Sequence, residues 1–435
     1  MKIIVLGAGI IGISTAWHLV QRGHEVTVVD RQAEAALETS FANAAQISVS
    51  YCEPWANRDA PWKALKWMFS KEAPLLFRPQ VPLGEGWHQY RWGLEFLANC
   101  NDAAFERNVQ QLVALGSYSH EALKQVVLDT GITYNRLEKG IAHYYTDQKS
   151  LDTAADAAAL MAKYGVNRRV VSKEELLKIE PAFKQFANHI VGGTFTASDE
   201  SGDARVFTQE LSQRCMERGV HFLWNHDVLG LDQAGGSIAS ARVRSQTTGL
   251  EKILSADHFV VAMGSYTAPL LRTVGVNLPI YPGKGYSATF KILKPELAPQ
   301  VSLLDDSVKC AMSRLGDDLR IAGTIEVGGY DLSLDSPLAR ARCAMLARRV
   351  ETVFPGVCDT RLAEDGGEPH FWTGLRPATP TNIPYIGKTK VGKLWVNAGH
   401  GTLGWTHGAG SGKAIAELIC GHKPAMSFGF YGFNA

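Results

Sequence analysis

Residues 1–30 read MKIIVLGAGIIGISTAWHLVQRGHEVTVVD. Lys2 to Leu6 is a short apolar run typical of a buried strand, Ile10 to Gln21 has the length and pattern of a helix, and Glu25 to Val29 is a second apolar run. The stretch therefore predicts a βαβ unit, the building block of an α/β fold with a parallel sheet.

The turn between the first strand and the helix carries three glycines in the spacing G-x-G-x-x-G, and Asp30 follows Gly12 by 18 residues (30 − 12). In dinucleotide-binding folds such glycines permit a tight turn, close approach of a pyrophosphate and close packing of the helix, whose N-terminus faces the phosphates. An acidic residue about 20 positions on accepts hydrogen bonds from ribose hydroxyls. The alternative is a glycine-rich turn in an ordinary α/β protein. The candidate cofactor-binding residues here are Gly7, Ala8, Gly9, Ile10, Ile11, Gly12, Asp30 and Arg31.

The size and charge of the chain favour a soluble enzyme that acts on a small molecule. The 435 residues are 46% hydrophobic and 20% charged, enough for two or three domains of about 150 residues each. The 44 Lys and Arg residues against 43 Asp and Glu leave a net charge of +1, which gives no electrostatic reason to expect a nucleic-acid partner.

The cysteine pattern and the hydropathy predict a cytoplasmic protein without a metal site. The seven cysteines form no Cys-x-x-Cys pair and no zinc-like cluster with histidine, which favours a reducing compartment. The chain does not begin like a signal peptide, and no apolar run reaches the roughly 20 residues that a spanning helix needs.

A second glycine run lies near the end of the chain, again between an apolar strand (Leu394 to Asn397) and a helix (about Thr406 to Leu418). The start and the end of the chain are therefore predicted to meet at the same cofactor. A helix N-terminus placed there directs N–H groups at developing negative charge, as on the pyrimidine edge of a reduced flavin. The glycines of this run are Gly399, Gly401, Gly404, Gly408, Gly410 and Gly412.

Between these ends the sequence predicts further helices and a separate antiparallel sheet. Lys284 to Ile292 and the hairpin sequence Arg314 to Arg320 favour that sheet. The other predicted helices are Asn108 to Thr130, Asp152 to Tyr164 and Phe207 to Arg218, and the other predicted strands are Gly140 to Thr146, His221 to Trp224 and His258 to Met263.

The segment from Tyr51 to Cys100 is rich in tryptophan and proline. Within it, Trp62, Leu65, Met68 and Phe69 share one face of a possible helix that is edged by lysines. This pattern is compatible with an interfacial helix over residues 62–71 that contacts the inner face of the cell membrane. A helix packed in the protein core is the other interpretation.

Longer motifs give the chain a family resemblance. They are Leu37-Glu38-Thr39-Ser40, Ala42-Asn43-Ala44, Gln46-Ile47-Ser48, Trp67-Met68-Phe69, Lys284-Gly285-Tyr286-Ser287, Phe371-Trp372-Thr373-Gly374-Leu375-Arg376-Pro377 and Gly399-His400-Gly401-Thr402-Leu403-Gly404-Trp405-Thr406. With these motifs the chain resembles the FAD-dependent D-amino-acid oxidoreductases over nearly its whole length, and within that family the bacterial dehydrogenases.

The resemblance implies an α/β fold with two domains, as in D-amino-acid oxidases: a Rossmann-like FAD-binding domain and a substrate domain built on an antiparallel sheet. We predict a discontinuous FAD-binding domain from residues 1–82, 151–279 and 370–435, and a substrate-binding domain from residues 83–150 and 280–369.

The resemblance also implies further contacts to FAD, which we expect to be bound noncovalently because no cysteine or histidine is assignable to a covalent bond. One departure is Ala45, which stands where relatives usually carry glycine. The implied residues are Ser40, Asn43, Ala44, Gln46, Ile47, Val228, Ala262, Met263, Gly264, Gly401, Thr402, Leu403, Gly404, Trp405 and Thr406.

For the substrate, the resemblance places a carboxylate-binding arginine at Arg376, whose guanidinium suits bidentate binding of a carboxylate. A structural salt bridge is the alternative for this residue. Arg314 is a weaker second candidate. Tyr286 and Tyr51 are expected to donate hydrogen bonds to the carboxylate or to shape the side-chain pocket, unless they are core aromatics.

Two further side chains are candidates next to the flavin. His400 is expected to pack or hydrogen-bond on the flavin side, and Lys284 to bind a water near N5. No general base is assigned, because the flavin supplies the chemistry and the protein orients the Cα–H bond.

The implied activity is oxidative deamination of D-amino acids to 2-oxo acids and ammonia, by hydride transfer from Cα to flavin N5, with electrons passed to a quinone or another respiratory carrier. Two alternatives remain open. One is an oxidase of glycine, sarcosine or proline-type secondary amines that reduces oxygen. The other is a flavin-holding subunit whose task is assembly or electron relay.

Overall fold

The computed structural model describes residues 1–62, 75–81 and 83–433. Its strands, in chain order, are β1 (Lys2–Leu6), β2 (Glu25–Val29), β3 (Gln46–Ile47), β4 (Leu75–Phe77), β5 (Ile141–Tyr145), β6 (Arg169–Ser172), β7 (Gly192–Thr196), β8 (Glu200–Ser201), β9 (His221–Leu223), β10 (His226–Ala234), β11 (Ser237–Ser245), β12 (Glu251–Leu254), β13 (His258–Val261), β14 (Tyr281–Lys291), β15 (Ser302–Asp305), β16 (Cys310–Leu315), β17 (Asp318–Val327), β18 (His370–Ala378), β19 (Tyr385–Lys388) and β20 (Leu394–Ala398). Its α-helices are α1 (Ile10–Val20), α2 (Glu85–Ala98), α3 (Asp102–Thr130), α4 (Gln148–Lys163), α5 (Lys173–Ile179), α6 (Ala204–Glu217), α7 (Thr267–Arg272), α8 (Pro337–Val353) and α9 (Gly404–Ile419).

A six-stranded sheet of order β19-β20-β13-β1-β2-β9 forms the first layer, and its strands run parallel except for β19. The predicted βαβ unit is confirmed, because β1 and β2 pair in parallel and α1 connects them. The helices α1, α3, α6 and α9 contribute to one apolar core with this sheet. The carboxyl ends of β1, β13 and β20 therefore meet at one edge, where open α/β sheets bind ligands.

A larger sheet forms the second layer, in the order β18-β14-β17-β16-β15-β5-β7-β6 with β4 paired to β17. Its pairs are antiparallel except for β5 with β15 and β4 with β17, so the predicted antiparallel sheet is confirmed. Helix α8 closes one face of it around a second apolar core. The other face turns toward the first layer.

The strand pairing divides the chain differently from the predicted domain boundaries. Strands β6 and β7 fall within residues 151–279, and β18 falls within residues 370–435, yet all three belong to the second sheet. Helix α3 falls within residues 83–150 but packs on α9 in the core of the first layer. The reason is physical: an apolar strand or an amphipathic helix carries no local signal of which of two sheets it joins.

The proposed interfacial segment at residues 62–71 lies outside the described residues, apart from Trp62, which is 74% exposed. Within residues 1–62, 75–81 and 83–433, none of the helices combines the length and the hydropathy required to cross a bilayer.

Candidate active site

The two layers enclose one elongated cavity of about 1820 Å³. It runs from the glycine turn after β1, past the loop at residues 40–48 and the start of α9, to the inner face of the second sheet. A pocket for one drug-sized ligand usually occupies about 300–1,000 Å³, so this space has room for an extended cofactor and a second molecule.

The glycine turn has the geometry that a pyrophosphate requires. Gly7 has φ +105°, and a Cβ on it would lie 2.5 Å from the carbonyl oxygen of Ala262. At Gly12 a Cβ would lie 1.9 Å from the Gly7 oxygen, so this glycine lets α1 pack closely. At Gly9 a Cβ would meet only Ser40 Oγ, at 3.3 Å, and the cavity side stays open for a ligand. The first N–H groups of α1 have no partner within the helix and are suited to phosphate oxygens.

Asp30 directly follows β2 at the wall of the cavity, and backbone N–H groups hold its carboxylate. Its Oδ2 accepts from Ala8 N at 2.6 Å and its Oδ1 from Gln32 N at 2.8 Å. Burial raises the pKa of Asp30 to about 6, although both backbone hydrogen bonds favour the ionised form. Each carboxylate oxygen keeps acceptor capacity for a ribose hydroxyl.

Arg31 lies beside it, paired with Glu38, with its guanidinium 4.1 Å from the centre of the Tyr266 ring. Arg31, Glu38 and Tyr266 all line the cavity.

The second glycine run brings a second helix N-terminus to the cavity. Gly399 and Gly401 have positive φ, and Gly401 N donates to Pro377 O at 2.9 Å. The segment from Gly401 to Thr406 lines the cavity as α9 begins, so its unpaired N–H groups are available to an electron-rich ring edge.

The other glycines of this run have a packing role that the sequence did not indicate. A Cβ on Gly408 would meet Ile10 at 2.7 Å, one on Gly412 would meet Ser14 at 2.5 Å, and one on Gly410 would meet Ser119 at 2.5 Å. They let α9 lie directly against α1 and α3.

The loop at residues 40–48 is fixed to both layers. Ser40 Oγ accepts from Ile10 N at 3.1 Å, at the start of α1. Gln46 Nε2 donates to Ser302 Oγ at 2.9 Å, and Ala44 O accepts from Ser313 Oγ at 2.8 Å, on the second sheet.

Ala45, the position where relatives usually carry glycine, is buried with φ +59°. The backbone therefore keeps the left-handed conformation that glycine favours, at a cost that alanine tolerates when its surroundings hold it.

Most predicted cofactor residues reach the cavity. The three exceptions are Ala8, Gly12 and Ile47, which lie behind the lining and support it through backbone contacts. The lining residues are Gly7, Gly9, Ile10, Ile11, Asp30, Arg31, Ser40, Asn43, Ala44, Gln46, Val228, Ala262, Met263, Gly264, Gly401, Thr402, Leu403, Gly404, Trp405 and Thr406.

Arg376 is a half-buried cation without an acidic partner among the described residues. Its Nη1 donates to Thr324 O at 2.8 Å, and its guanidinium lines the cavity. Burial lowers the pKa of Arg376 to about 10, still far above neutral pH. A partly desolvated cation without an anionic partner is unfavourable, and an anionic ligand group would relieve that cost.

Two neighbours position this guanidinium. Gly285 lies beneath it, since a Cβ there would be 2.6 Å from Arg376 Cζ. Thr324, with φ +53°, belongs to a bulge where the pairing between β14 and β17 shifts register. The bulge turns the Thr324 carbonyl toward Arg376.

The remaining predicted substrate residues divide into two groups. Tyr286 and Tyr51 line the cavity, but Tyr286 OH donates to Glu326 Oε2 at 2.8 Å, so its proton is already used. Lys284 Nζ donates to Ser333 O at 2.6 Å and does not line the cavity.

Arg314, the second candidate for binding the substrate carboxylate, does not line the cavity, so this prediction is wrong. Its guanidinium donates to the backbone oxygens of Gly316 and Pro295. Residue order along a hairpin does not reveal which end of the strand faces the cavity.

His400 lines the cavity at the second glycine run, and neither ring nitrogen has a partner among the described residues. Burial, with the nearby His407 as a smaller cause, lowers the pKa of His400 well below its usual value. The ring is therefore neutral and offers one donor and one acceptor to a bound molecule.

Sequence reasoning missed several lining residues, namely Glu53, Tyr145, Arg168, Asp306, Lys309 and Thr324. They come from loops and strand ends without a recognisable motif. A usable signal exists for Gly285, which lies within a motif that carries the resemblance.

These features fit FAD. Two helix N-termini, an acidic residue at the ribose position and a neutral histidine with two open nitrogens line one continuous space.

The comparisons with known proteins agree with this geometry. The family model described as DAO, FAD dependent oxidoreductase, matches residues 2–418. A D-amino acid dehydrogenase of Dechloromonas aromatica is 46% identical over 430 residues, covering 99% of each chain. One of Methylobacterium nodulans is 40% identical over 427 residues, covering 98% of this chain and 97% of that one.

Among solved structures, L-proline dehydrogenase from P. horikoshii matches with a TM-score of 0.73 at 17% identity, covering 98% of this chain and 94% of that one. Glycine oxidase from Geobacillus kaustophilus matches with a TM-score of 0.72 at 19% identity, covering 98% and 96%. At these identities the two structures show the shared fold.

Proposed function

The chain belongs to the family of FAD-dependent oxidoreductases, and from this premise we propose that it oxidises D-amino acids to 2-oxo acids and ammonia. The observation that carries the proposal is Arg376, a half-buried guanidinium without an acidic partner among the described residues, at the wall of the cavity. The D-amino acid dehydrogenases that match over nearly the full length support the choice of substrate.

In this proposal Arg376 binds the substrate carboxylate, while Thr324 O fixes one edge of the guanidinium. When bound, FAD supplies the chemistry by accepting the Cα hydride at N5. Loss of this hydride converts the amino acid to an imino acid. Water then hydrolyses the imino acid to the 2-oxo acid and ammonia. The chain contributes orientation and exclusion of bulk water.

The remaining side chains have supporting roles. His400 is neutral, and we assign it a hydrogen bond to the bound flavin. Tyr51 shapes the pocket for the substrate side chain, whereas Tyr286 contributes a wall, because its hydroxyl is engaged by Glu326. Lys284, which bonds to Ser333 O, holds the strand that carries Gly285.

The test is anaerobic mixing of the purified holoenzyme with D- and L-amino acids, glycine and sarcosine, followed by flavin absorbance and then by admission of air. Bleaching by D-amino acids with slow reoxidation supports the proposal. Bleaching only by glycine or secondary amines, or rapid reoxidation, identifies an oxidase instead. Absence of bleaching identifies a flavin-holding subunit.

Arg376→Ala sharpens this test. Loss of a charge-assisted, bidentate partner is expected to raise KM about 10- to 100-fold while FAD stays bound. An unchanged KM places the carboxylate elsewhere. Arg376→Lys keeps the charge but loses the planar fork, so an intermediate KM is expected.

For the electron acceptor we propose a quinone, reached from a position on the membrane surface through residues 62–71. Trp62 begins this segment and is exposed, and the neighbouring described region exposes Val81, Leu83, Trp87, Leu94 and Leu97. Cosedimentation with anionic vesicles at low salt, lost in Trp67→Glu, is the expected result. Failure of the unsubstituted protein to bind such vesicles contradicts the membrane contact.

A further inference from the structure

One end of the cavity carries four charged side chains that the proposed reaction does not use. We call this surface the polar wall and define it as Tyr51, Glu53, Tyr145, Arg168, Asp306 and Lys309, all of which line the cavity. Within the wall the charges balance, because two cations face two anions.

Arg168 is the best-anchored side chain of the polar wall. Its side chain is 3% exposed, and it donates to Thr194 Oγ1 at 3.1 Å, Tyr145 OH at 3.1 Å and Glu53 Oε1 at 2.8 Å. With further contacts to a backbone oxygen and a histidine ring, its donors are occupied. Arg168 therefore positions other groups and is not itself free for a ligand.

Glu53 is the group that Arg168 presents to the cavity. Arg168 holds Oε1, whereas the described part of the chain provides no partner for Oε2. The Glu53 side chain is 25% exposed, and the surface it exposes belongs to the cavity lining. The hydroxyl of Tyr51, on the same wall, likewise has no partner in the described ranges.

Lys309 supplies the opposite polarity. It pairs with Asp306 across the turn between β15 and β16, and 43% of its side chain is exposed. The wall therefore offers a fixed acceptor at Glu53 and donors at Tyr51 and Lys309.

The backbone of the polar wall adjoins the strand that positions Arg376. Thr324 O holds Arg376, and the preceding Gly323 pairs with Cys310, the residue after Lys309. The Lys309 oxygen is 2.9 Å from the position of a Cβ on Gly323. The wall thus begins about one strand spacing, roughly 4.8 Å, from the strand that fixes the anchor. Arg376 and the polar wall therefore line neighbouring parts of the same cavity.

We propose that the polar wall is the subsite for the distal part of the substrate side chain and selects a neutral group that both donates and accepts hydrogen bonds, such as the amide of D-glutamine. An amide donates to Glu53 while it accepts from Lys309 or Tyr51. A carboxylate would face Glu53 and Asp306, and an ammonium would face Lys309 and Arg168, each with a like charge. This inference rests on the proposed function.

The experiment compares kcat/KM of the holoenzyme for D-glutamine, D-glutamate and D-lysine. The unsubstituted enzyme is expected to prefer D-glutamine. Glu53→Gln removes one negative charge but keeps an oxygen for Arg168, so the D-glutamate to D-glutamine ratio should rise about tenfold. Lys309→Met removes one positive charge, so the D-lysine to D-glutamine ratio should rise by a similar factor.

A rise of the D-glutamate ratio in Glu53→Gln and of the D-lysine ratio in Lys309→Met supports the subsite, because a merely structural role moves all substrates together. The control is Glu138→Gln, at a carboxylate that is 66% exposed and outside the cavity lining, which should leave all ratios unchanged. Unchanged ratios in both wall variants, or a preference of the unsubstituted enzyme for a charged side chain, overturn the inference. The two proposals fail differently: absence of bleaching by every D-amino acid tested, D-alanine and D-glutamine included, contradicts the function itself, whereas turnover of D-alanine with unchanged ratios in the wall variants contradicts the subsite alone.

Discussion

At Gly285 the absence of a Cβ makes room for the Arg376 guanidinium, since a Cβ there would lie 2.6 Å from Cζ. Gly285→Ala is therefore expected to displace the anchor and raise KM for the amino acid at least tenfold, with FAD still bound. Steady-state kinetics and the flavin spectrum check this. The control is Gly93→Ala in α2, which also lies at the cavity wall but where a Cβ meets nothing within 4 Å, so that only the clash with Arg376 differs. If neither variant changes KM, the result contradicts the role of the Arg376 guanidinium in binding the substrate.

Asp30 gives a pH prediction, because its carboxyl has to be ionised to accept hydrogen bonds from a ribose. The raised pKa of about 6 means that the folded apoprotein keeps a proton between about pH 4 and 6 that the unfolded chain has lost. Its contribution to stability is thus lost as pH rises through 6, while FAD affinity is gained.

Titration of apoprotein with FAD should show an affinity that falls as pH drops below 6, by up to about tenfold per pH unit. Asp30→Asn should bind more weakly and with a flat profile over that range. If FAD affinity still falls below pH 6 in Asp30→Asn, a group other than Asp30 causes the pH dependence.

At the residue scale, the sequence predicted the position of those residues whose placement follows from spacing or motif. Gly7, Gly9, Gly12 and Asp30 lie where the fingerprint predicts them, at the cavity or directly behind it. Thr324 was not predictable, because its contribution is a carbonyl turned by a bulge, and no residue type signals that geometry. The same holds for Glu53 and Lys309, which distant segments bring together.

At the scale of elements, the close packing of α1 and α9 places two helix N-termini at one ligand. Gly412 contacts Ser14 so closely that a Cβ would lie 2.5 Å from its backbone carbon. Gly412→Ala should force the helices apart and cost about 1–3 kcal/mol, which lowers Tm by a few degrees. Thermal unfolding and FAD retention measure this. Lys413→Ala, at the adjacent position, is the control, and an equal Tm in the two variants contradicts the packing argument.

Element types followed from the sequence better than element partners did. The helix predicted to begin at Asn108 begins at Asp102 instead, where Asn101 caps it by accepting from Ala104 N at 3.0 Å. Pairing of β6, β7 and β18 with the second sheet was not predictable, because crossovers between layers depend on packing that no local pattern records.

For the whole molecule, the cofactor site is assembled from segments far apart in the chain. Strands β1, β13 and β20 are neighbours in the first sheet, although they end at Leu6, Val261 and Ala398, far apart in the sequence. A ligand that contacts the turns after all three strands binds only the folded chain and therefore stabilises it.

Acid denaturation followed by ultrafiltration is expected to release the flavin into the filtrate, because we expect FAD to be bound noncovalently. Refolded apoprotein should then unfold at a lower temperature than the holoenzyme, and FAD at 100 times Kd should restore about 2.7 kcal/mol. Because the site joins both ends of the chain, deletion of residues 399–433 should abolish this stabilisation even though the first glycine turn is intact. Flavin that stays on the denatured chain contradicts noncovalent binding, and a truncated chain that still gains stability from FAD contradicts the two-ended site.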